Sequence, residues 1–518
     1  MTGAASLADV NRFRELIALR LGLEFDDGKL GFLAEVLWRQ HSREVGGCQG
    51  YLQRLGHAPR RDDLIRLAED LTVPETYFFR HIDQFRAFSD IAVPDRMRAR
   101  RRERQLRLLS VGCASGEEPY TLAIAIRELA LEPTWQVSIR AVDVNRKMLQ
   151  RAARGRFSSW SLRETPPILK NRWFSPAGRE FLVDDSIVNQ VRFEQRNLAD
   201  EDPDLWPAAA YDVVFCRNVI MYFTPKTAQA VIDRIARSLA PGGYVFLGHA
   251  ENLRGMSNDF HLCHTHGTFY YRRKGADEVA ALPSSEAAPA RWLYSAAAAV
   301  PIRLSEGGWL EAIGEASYRI QVLAQVPAAP AAAQPLAPAS PPTSTPTDRA
   351  SESDLQSPLE LLRQERYGEA LALLQARRPR WASDPEVSLL EAVLLAQSGQ
   401  LSRAEKACRS LLQIDELNAG AHYVLALCCA RTGDGRRAIE HDQIATYLDP
   451  AFAMPRLHLG LLARRAGEHA DARRELGQAL ELLEREDSSR LLYFGGGFGR
   501  EALVALCRAE LVACGGRP

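Results

Sequence analysis

L-R-L-L-S-V-G-C-A-S-G-E-E-P-Y-T-L-A-I-A-I-R-E-L, residues 106–129, followed by Q-V-S-I-R-A-V-D-V-N, residues 136–145, decides the fold of this chain. An apolar run (Leu106, Leu108, Leu109, Val111) breaks at Gly112 and Gly116. Apolar residues at helical spacing follow (Leu122, Ile124, Ala125, Ile126, Leu129), and a second apolar run ends at Asp143. That pattern predicts strand, glycine turn, helix, strand. In an open parallel α/β sheet, ligands lie beyond the carboxyl ends of the strands. There, glycines admit a ligand to the backbone and an acid closing the next strand can hold ribose hydroxyls. Gly112, Gly116 and Asp143 occupy those places.

The glycine spacing is neither G-x-G-x-x-G nor G-x-x-x-x-G-K-[ST], because no Lys follows Gly116 and two acids do. Glu117 and Glu118 would repel a phosphate at this turn. They suit a ligand carrying hydroxyls and positive charge, such as S-adenosylmethionine with its sulfonium, ammonium and ribose. A glycine turn that merely joins strand to helix is the plainer alternative, since G-x-x-x-G alone is a weak motif.

The totals set bounds on the rest. At 518 residues the chain has room for several domains, each with its own core. Lys and Arg balance Asp and Glu at 65 each, so no global charge draws the protein to nucleic acid or to an anionic membrane. The polar start and the absence of an eighteen-residue apolar run predict neither a signal peptide nor membrane insertion, and a cytoplasmic location. Nine cysteines without C-x-x-C pairs read as reduced structural thiols rather than disulfides or a zinc site.

Residues 1–90 read as a helical domain, with Gly22, Gly28 and Gly56 as breaks and basic solvent faces that could dock an acidic protein helix. It closes on T-V-P-E-T-Y-F-F-R (72–80), where Phe78 and Phe79 are expected to pack between two domains. M-R-A-R-R-R-E-R-Q-L-R (97–107) reads as a solvated linker helix. Within residues 91–274, a stretch of about 156–197 breaks the α/β alternation. F-L-V-D-D-S-I-V-N-Q-V-R-F-E-Q-R-N-L predicts a small antiparallel hairpin around Asp184 to Ser186, ending in a strand that carries Asn197 and Leu198. The sheet resumes at Y-D-V-V-F-C-R-N-V-I-M-Y-F (211–223), whose tip exposes Arg217 and Asn218. A helix, the turn A-P-G-G and the strand Y-V-F-L-G-H-A-E-N follow. H-L-C-H-T-H (261–266) holds metal-type residues, but on a strand Cys263 points away from His264 and His266, so a terminal sheet strand is expected and no metal.

Thr76 to Arg80, G-C-A-S-G-E-E-P-Y, A-V-D-V-N, N-L, C-R-N-V-I-M-Y-F and G-H-A-E-N together closely resemble the chemotaxis-receptor glutamate methyltransferases, the CheR-type family, over roughly residues 10–272. The resemblance implies a Rossmann-like α/β domain binding S-adenosylmethionine, with S-adenosylhomocysteine as product. It also implies an N-terminal helical domain, a small antiparallel β-subdomain, and methyl-ester formation on glutamates of a methyl-accepting chemotaxis-type receptor. Carried over by position, the cofactor contacts are Thr76, Arg80, Gly112, Glu118, Asp143, Asn197, Leu198, Arg217 and Asn218, and Tyr222 with Arg80 faces the reacting carboxylate. Where the family often has Asn two residues before the Thr, this chain has Pro74. The insert around Phe181 to Val191 is shorter than in members that bind a receptor's C-terminal pentapeptide through it.

Residues 275–356 are rich in Pro and Ala and read as an extended linker, with Trp292 to Tyr294 and Trp309 to Ile313 as candidate short helices. Beyond it, Ala370, Ala404, Ala438 and Ala472 recur every 34 residues, as do Gly399, Gly433 and Gly467. This is the tetratricopeptide period, an all-α solenoid over 357–485 whose default role is binding a further protein partner. Three full repeats from Pro385, a partial one before them, and a glycine-rich turn into a capping helix over 486–518 are expected. Two other functions compete with receptor methylation: a non-catalytic, cofactor-binding scaffold acting through its repeats, and a methyltransferase of this fold with a different substrate.

Overall fold

The computed structural model describes residues 6–42, 46–57, 59–72, 75–275, 352–364, 366–377 and 384–515. Pro74, nearly all of the Pro/Ala-rich stretch and its two aromatic segments lie outside the described residues. The chain divides into two units, Met1–Ala297 and Ala298–Pro518.

The first unit begins with four helices, α1 (Leu7–Leu21), α2 (Leu30–His41), α3 (Gly47–His57) and α4 (Arg61–Leu71). Ser6 caps α1 in a reciprocal box with Asp9, and Gly22 ends it at φ 69°. Val10, Phe13, Ile17 and Leu21 form one helical face, which packs with Leu33, Leu37, Leu52 and Leu67 in a small core. Next come α5 (Ile82–Ala87), one π turn (Phe88–Ala92) and α6 (Val93–Ala99). Pro94 has no N–H and its ring crowds the preceding turn, which widens the helix there.

The stretch 97–107 is largely exposed, as read, but it is not one linker helix. α6 stops at Ala99, strand β1 (Gln105–Val111) starts at Gln105, and Arg96 is buried. Arg96 Nη2 and Arg100 Nε donate to Asp212 Oδ1 at 3.2 and 2.9 Å, so the end of α6 anchors the central sheet. A local charge count does not show that an acid from a distant strand lies beneath it.

The sheet then alternates through α7 (Glu117–Glu128), β2 (Gln136–Asp143), α8 (Arg146–Ala153), β3 (Arg156–Ser158), α9 (Pro167–Trp173), β4 (Phe174–Ala177), β5 (Glu180–Val183), α10 (Asp185–Val188) and β6 (Val191–Gln195). It continues through β7 (Tyr211–Cys216), α11 (Pro225–Ser238), β8 (Leu239–Leu247), β9 (Phe260–Thr265) and β10 (Thr268–Arg273). Seven strands lie in the order β6-β2-β1-β7-β8-β10-β9, parallel except where β10 runs against both neighbours. This is the mostly parallel α/β sheet predicted. The histidine stretch is its terminal strand, with His264 stacked on Phe269.

Two local expectations change. The hairpin turns at Gly178 and Arg179, where β4 meets β5 in a separate sheet ordered β3-β5-β4, while Asp184 to Ser186 start helix α10. Asp184 accepts the Ser186 N–H at 2.9 Å, an N-cap that outweighs a turn there. β6 pairs in parallel with β2 in the main sheet, and Asn197 and Leu198 fall just past its end. The A-P-G-G sequence, Ala240 to Gly243, falls within the bounds of β8 as an excursion between the pairs Tyr211–Leu239 and Val213–Tyr244, with Gly242 at φ 70°.

The second unit is a stack of helix pairs: α12 (Glu352–Arg363) with α13 (Tyr367–Arg377), α14 (Pro385–Gln397) with α15 (Leu401–Ile414), α16 (Ala419–Arg431) with α17 (Gly435–Leu448), and α18 (Ala453–Arg465) with α19 (His469–Leu483). Ala370, Ala404, Ala438 and Ala472 are fully buried where paired helices touch, and Gly399, Gly433 and Gly467 hold φ of 77, 86 and 81° in the turns. The repeat read as partial has both its helices. α12 begins inside the stretch read as linker, and the sequence has Glu365, not glycine, 34 residues before Gly399, which hid the pair. Two helices follow, α20 (Ser488–Phe494) and α21 (Arg500–Ala513).

Candidate functional site

Parallel register sets the carboxyl ends of three strands side by side: Val111 of β1 lies opposite Val142 of β2 and Cys216 of β7. The strand order reverses between β1 and β7, the position at which α/β sheets open a crevice. The chain leaves β1 through Gly112 at φ 68°, and a Cβ there would stand 2.3 Å from Val219 Cγ2. Only glycine lets this loop lie against the segment after β7.

Asp143 ends β2 and is buried. Its Oδ2 accepts the Ala114 N–H at 2.8 Å and its Oδ1 the Asn145 N–H at 2.7 Å, so it ties two loops together at the crevice floor. Burial pushes its carboxyl above the usual range, and the backbone donors pull against that shift. Neither glutamate after Gly116 stands free. Glu117 is buried on the Ser115 hydroxyl at 2.7 Å, while Glu118 accepts from Ser110 Oγ at 2.8 Å and pairs with Arg217 Nη1 at 3.2 Å.

Arg217 is the buried cation of the site. Its Nη2 donates to the Arg80 carbonyl at 2.6 Å and to His81 Nδ1 at 3.1 Å, and its Nε is buried without a hydrogen-bond partner. Burial, with Arg217 and His249 nearby, pushes His81 down to about 4, so the ring is neutral at pH 7 and Nδ1 accepts. Arg80 Nη1 donates to the Glu75 carbonyl at 3.1 Å, and its guanidinium lies 5.7 Å from the Tyr77 ring centre.

Sequence reasoning quoted Glu251 only as a letter in G-H-A-E-N. In the fold its Oε2 accepts the N–H groups of Asn218 and Gly248, both at 2.7 Å, and its Oε1 those of Val219 at 2.8 Å and Met221 at 3.2 Å. One buried carboxylate thus shapes the loop carrying Arg217 to Tyr222, including Asn218 at φ 58°.

Two adjoining cavities open here, sharing Gly112, Ala114, Asn218 and Tyr222. One, of about 120 Å³, is walled by Leu21, Leu23, Phe25 and Leu71 of the helical region together with Asp143, Met148, Asn197 and Leu198. The other, of about 230 Å³, is polar and lined by Thr76, Tyr77, Arg80, Glu118, Arg217 and Met221. All ten residues singled out from the sequence line one cavity or both. The apolar wall from residues 21–25 was not foreseen, because nothing local says that this turn docks elsewhere. It does so through a bridge between Leu23 and Phe223, the Glu24 N–H donating to the Tyr222 carbonyl at 2.9 Å, and Asn145 Nδ2 donating to Thr72 Oγ1 at 3.1 Å.

Met221 and Tyr222, which line the polar cavity, are 56% and 41% exposed, and Trp160, beyond Tyr77, is 68% exposed. The Arg163 guanidinium lies between two rings, 3.7 Å from the Tyr77 centre and 4.4 Å from that of Trp160. Burial and Glu164 raise the Tyr77 hydroxyl above its ordinary value.

Residues 74–269 match the family described as CheR methyltransferase, SAM binding domain. The chain is 34% identical over 258 residues to chemotaxis protein methyltransferase 2 of Vibrio cholerae serotype O1, covering 49% of this chain and 88% of that protein. It is 28% identical over 466 residues to the probable biofilm formation methyltransferase WspC of Pseudomonas aeruginosa, covering 90% and 96%. It is 29% identical over 273 residues to chemotaxis protein methyltransferase Cher2 of Pseudomonas putida, covering 51% and 98%.

Proposed function

The chain belongs to the CheR family of chemotaxis methyltransferases, which use S-adenosylmethionine, and on that premise we propose that it methylates glutamate side chains on the cytoplasmic helices of a chemoreceptor-type protein. The observation that carries this reading is the pair of cavities meeting at Gly112, Asn218 and Tyr222, one apolar and one polar, behind an exposed mouth. The residues fit the cofactor. The apolar cavity with Asp143 at its floor suits an adenosine, and Thr76, Arg80, Glu118 and Arg217 suit an amino-acid end bearing both charges. The unpartnered Nε of Arg217 is a buried donor available to a ligand.

The cofactor, when bound, supplies an electrophilic methyl group on a sulfonium. A glutamate carboxylate has a reference pKa near 4.3 and is ionised at pH 7, so no general base is needed. The chain's part is to position and to exclude water, an effect of about 7–11 kcal/mol when reactants are held in line. Arg80 neutralises a carboxylate in the polar cavity, and the Tyr222 hydroxyl orients the acceptor at the mouth. The acceptor helix crosses the rim of Trp160, Arg163 and Met221, where apolar surface and cation together suit an acidic amphipathic helix. We assign the repeats over 357–485 to binding a further protein partner, and the enzyme to the cytoplasm with recruitment to membrane receptor arrays.

The test is transfer of labelled methyl groups to a purified receptor cytoplasmic domain, with Asp143→Ala as control. Base-labile esters formed by the native chain and lost in the variant are expected. Cofactor binding without esters on any receptor domain would move the reading to a different acceptor, and no cofactor binding at all would favour the scaffold.

A further inference from the structure

In repeat stacks of this kind the concave surface is the binding surface. Here it is filled by the chain itself. Helix α20 packs on α12 and α14, and its last residue reaches α16, where a Cβ on Gly420 would stand 2.8 Å from Phe494 Cζ. The Phe494 ring centre lies 4.9 Å from that of Phe452 and 5.8 Å from that of Tyr423, so α16 and the entry to α18 line one aromatic seat, with α12 and α14 packed on the helix that fills it. Arg490, one helical turn earlier, pairs with Asp449 and lies 5.3 Å over the Phe452 ring. Burial, with Glu386 and Asp384 adding to it, raises the Tyr493 hydroxyl above its ordinary value.

Several features mark α20 as an occupant rather than a wall. The stack is already capped by α21, which packs on α19. α20 has seven residues, too few to hold a helix alone, so its shape depends on the seat. It runs into Gly495–Gly497, with Gly496 and Gly497 at φ 64 and 87°, a backbone that favours glycine and gives the segment a hinge. A tethered ligand of this kind acts at an effective concentration in the millimolar range, strong enough to hold the seat and weak enough to yield it.

We propose that Ser488–Phe494 is a resident pseudo-ligand of the repeat groove. The partner that replaces it is a peptide segment of the same chemistry, an arginine followed four residues later by an aromatic ring. The cation answers Asp449 and the ring fills the seat over Gly420, between Tyr423 and Phe452. This inference is independent of the methyl-transfer reading.

The probe is a fluorescein-labelled peptide of residues 488–494, S-S-R-L-L-Y-F, titrated by anisotropy into the full chain. The native chain is expected to bind it weakly and Phe494→Ala at least tenfold more tightly, while the peptide ending in Ala binds neither. Hydrogen exchange across 419–430 should rise in the variant and fall again on adding the peptide. Equal binding by a folded Phe494→Ala chain and the native chain overturns the proposal. If that variant does not fold, Arg490→Ala gives the same comparison, and unfolding of the stack in both makes α20 a structural wall and overturns it as well.

Discussion

The carboxylate of Glu251 and the backbone N–H of Asn218 meet at 2.7 Å, and through that bond a loop from β8 sets the shape of the loop after β7. Glu251→Gln turns a donor toward a cluster of backbone donors. A loss of about 1–3 kcal/mol in stability is expected, with cofactor affinity down roughly tenfold, a factor worth about 1.4 kcal/mol. Calorimetric titration of S-adenosylhomocysteine alongside thermal denaturation checks both; native affinity in the variant would remove Glu251 from the site's architecture.

Gly112→Ala meets Val219 Cγ2 and a left-handed backbone together. The backbone alone costs about 1–2 kcal/mol, and cofactor binding should fall at least tenfold. Adding Val219→Ala should restore part of that loss. A double variant no better than the single would show that close packing on Val219 is not what the glycine serves.

Tyr222→Phe keeps the ring that lines both cavities and removes the hydroxyl. Turnover on receptor should fall roughly ten- to a hundredfold with cofactor affinity unchanged, the pattern of an interaction made in the transition state. Arg80→Ala should lower both. Steady-state kinetics with a receptor fragment separates the two, and unchanged turnover in Tyr222→Phe would refute its role.

His81 gives the site a pH dependence. Its folded value of about 4 lies below the ordinary 6.5, so between those values the unfolded chain holds more protons than the folded one. Stability therefore rises with pH through that window and is lost as pH falls from 6.5 toward 4. Burial dominates the shift, with Arg217 beside the ring adding to it. In His81→Asn, which tolerates the φ of 58°, the melting temperature should fall less steeply over that range. Parallel curves for native and variant chains would contradict this.

Asp212 receives Arg96, Arg100 and the Arg107 N–H under the sheet, with Arg96 and Asp212 both buried. Asp212→Asn leaves a guanidinium without its counter-charge and should cost about 3–5 kcal/mol. Calorimetry would show it as a drop of several degrees in the first unit's melting. A shift within error would mean that the Asp212 charge is not what holds the two guanidiniums in place.

The strand, glycine turn and helix of residues 106–129 and the 34-residue helical repeat were legible in the sequence, because periodicity and turn chemistry act between residues close along the chain. The ten site residues came from the resemblance, block by block, and the structure sets all ten on the walls of two adjoining cavities. What the sequence left open depends on register and docking between distant segments. Glu251 is an ordinary acid until β8 places it under the amides of Asn218, Val219 and Met221. Arg96 and Arg100 look like two more solvated cations until Asp212 arrives from β7. Residues 184–186 look like a turn until the Asp184 side chain caps them as the start of α10, and Phe494 is one aromatic after a helix until a stack of repeats leaves a seat over Gly420. The sequence by itself determined the elements and the chemistry they carry; the tertiary structure decided which carboxylate meets which amide, since that depends on strand order and burial, which no local pattern encodes.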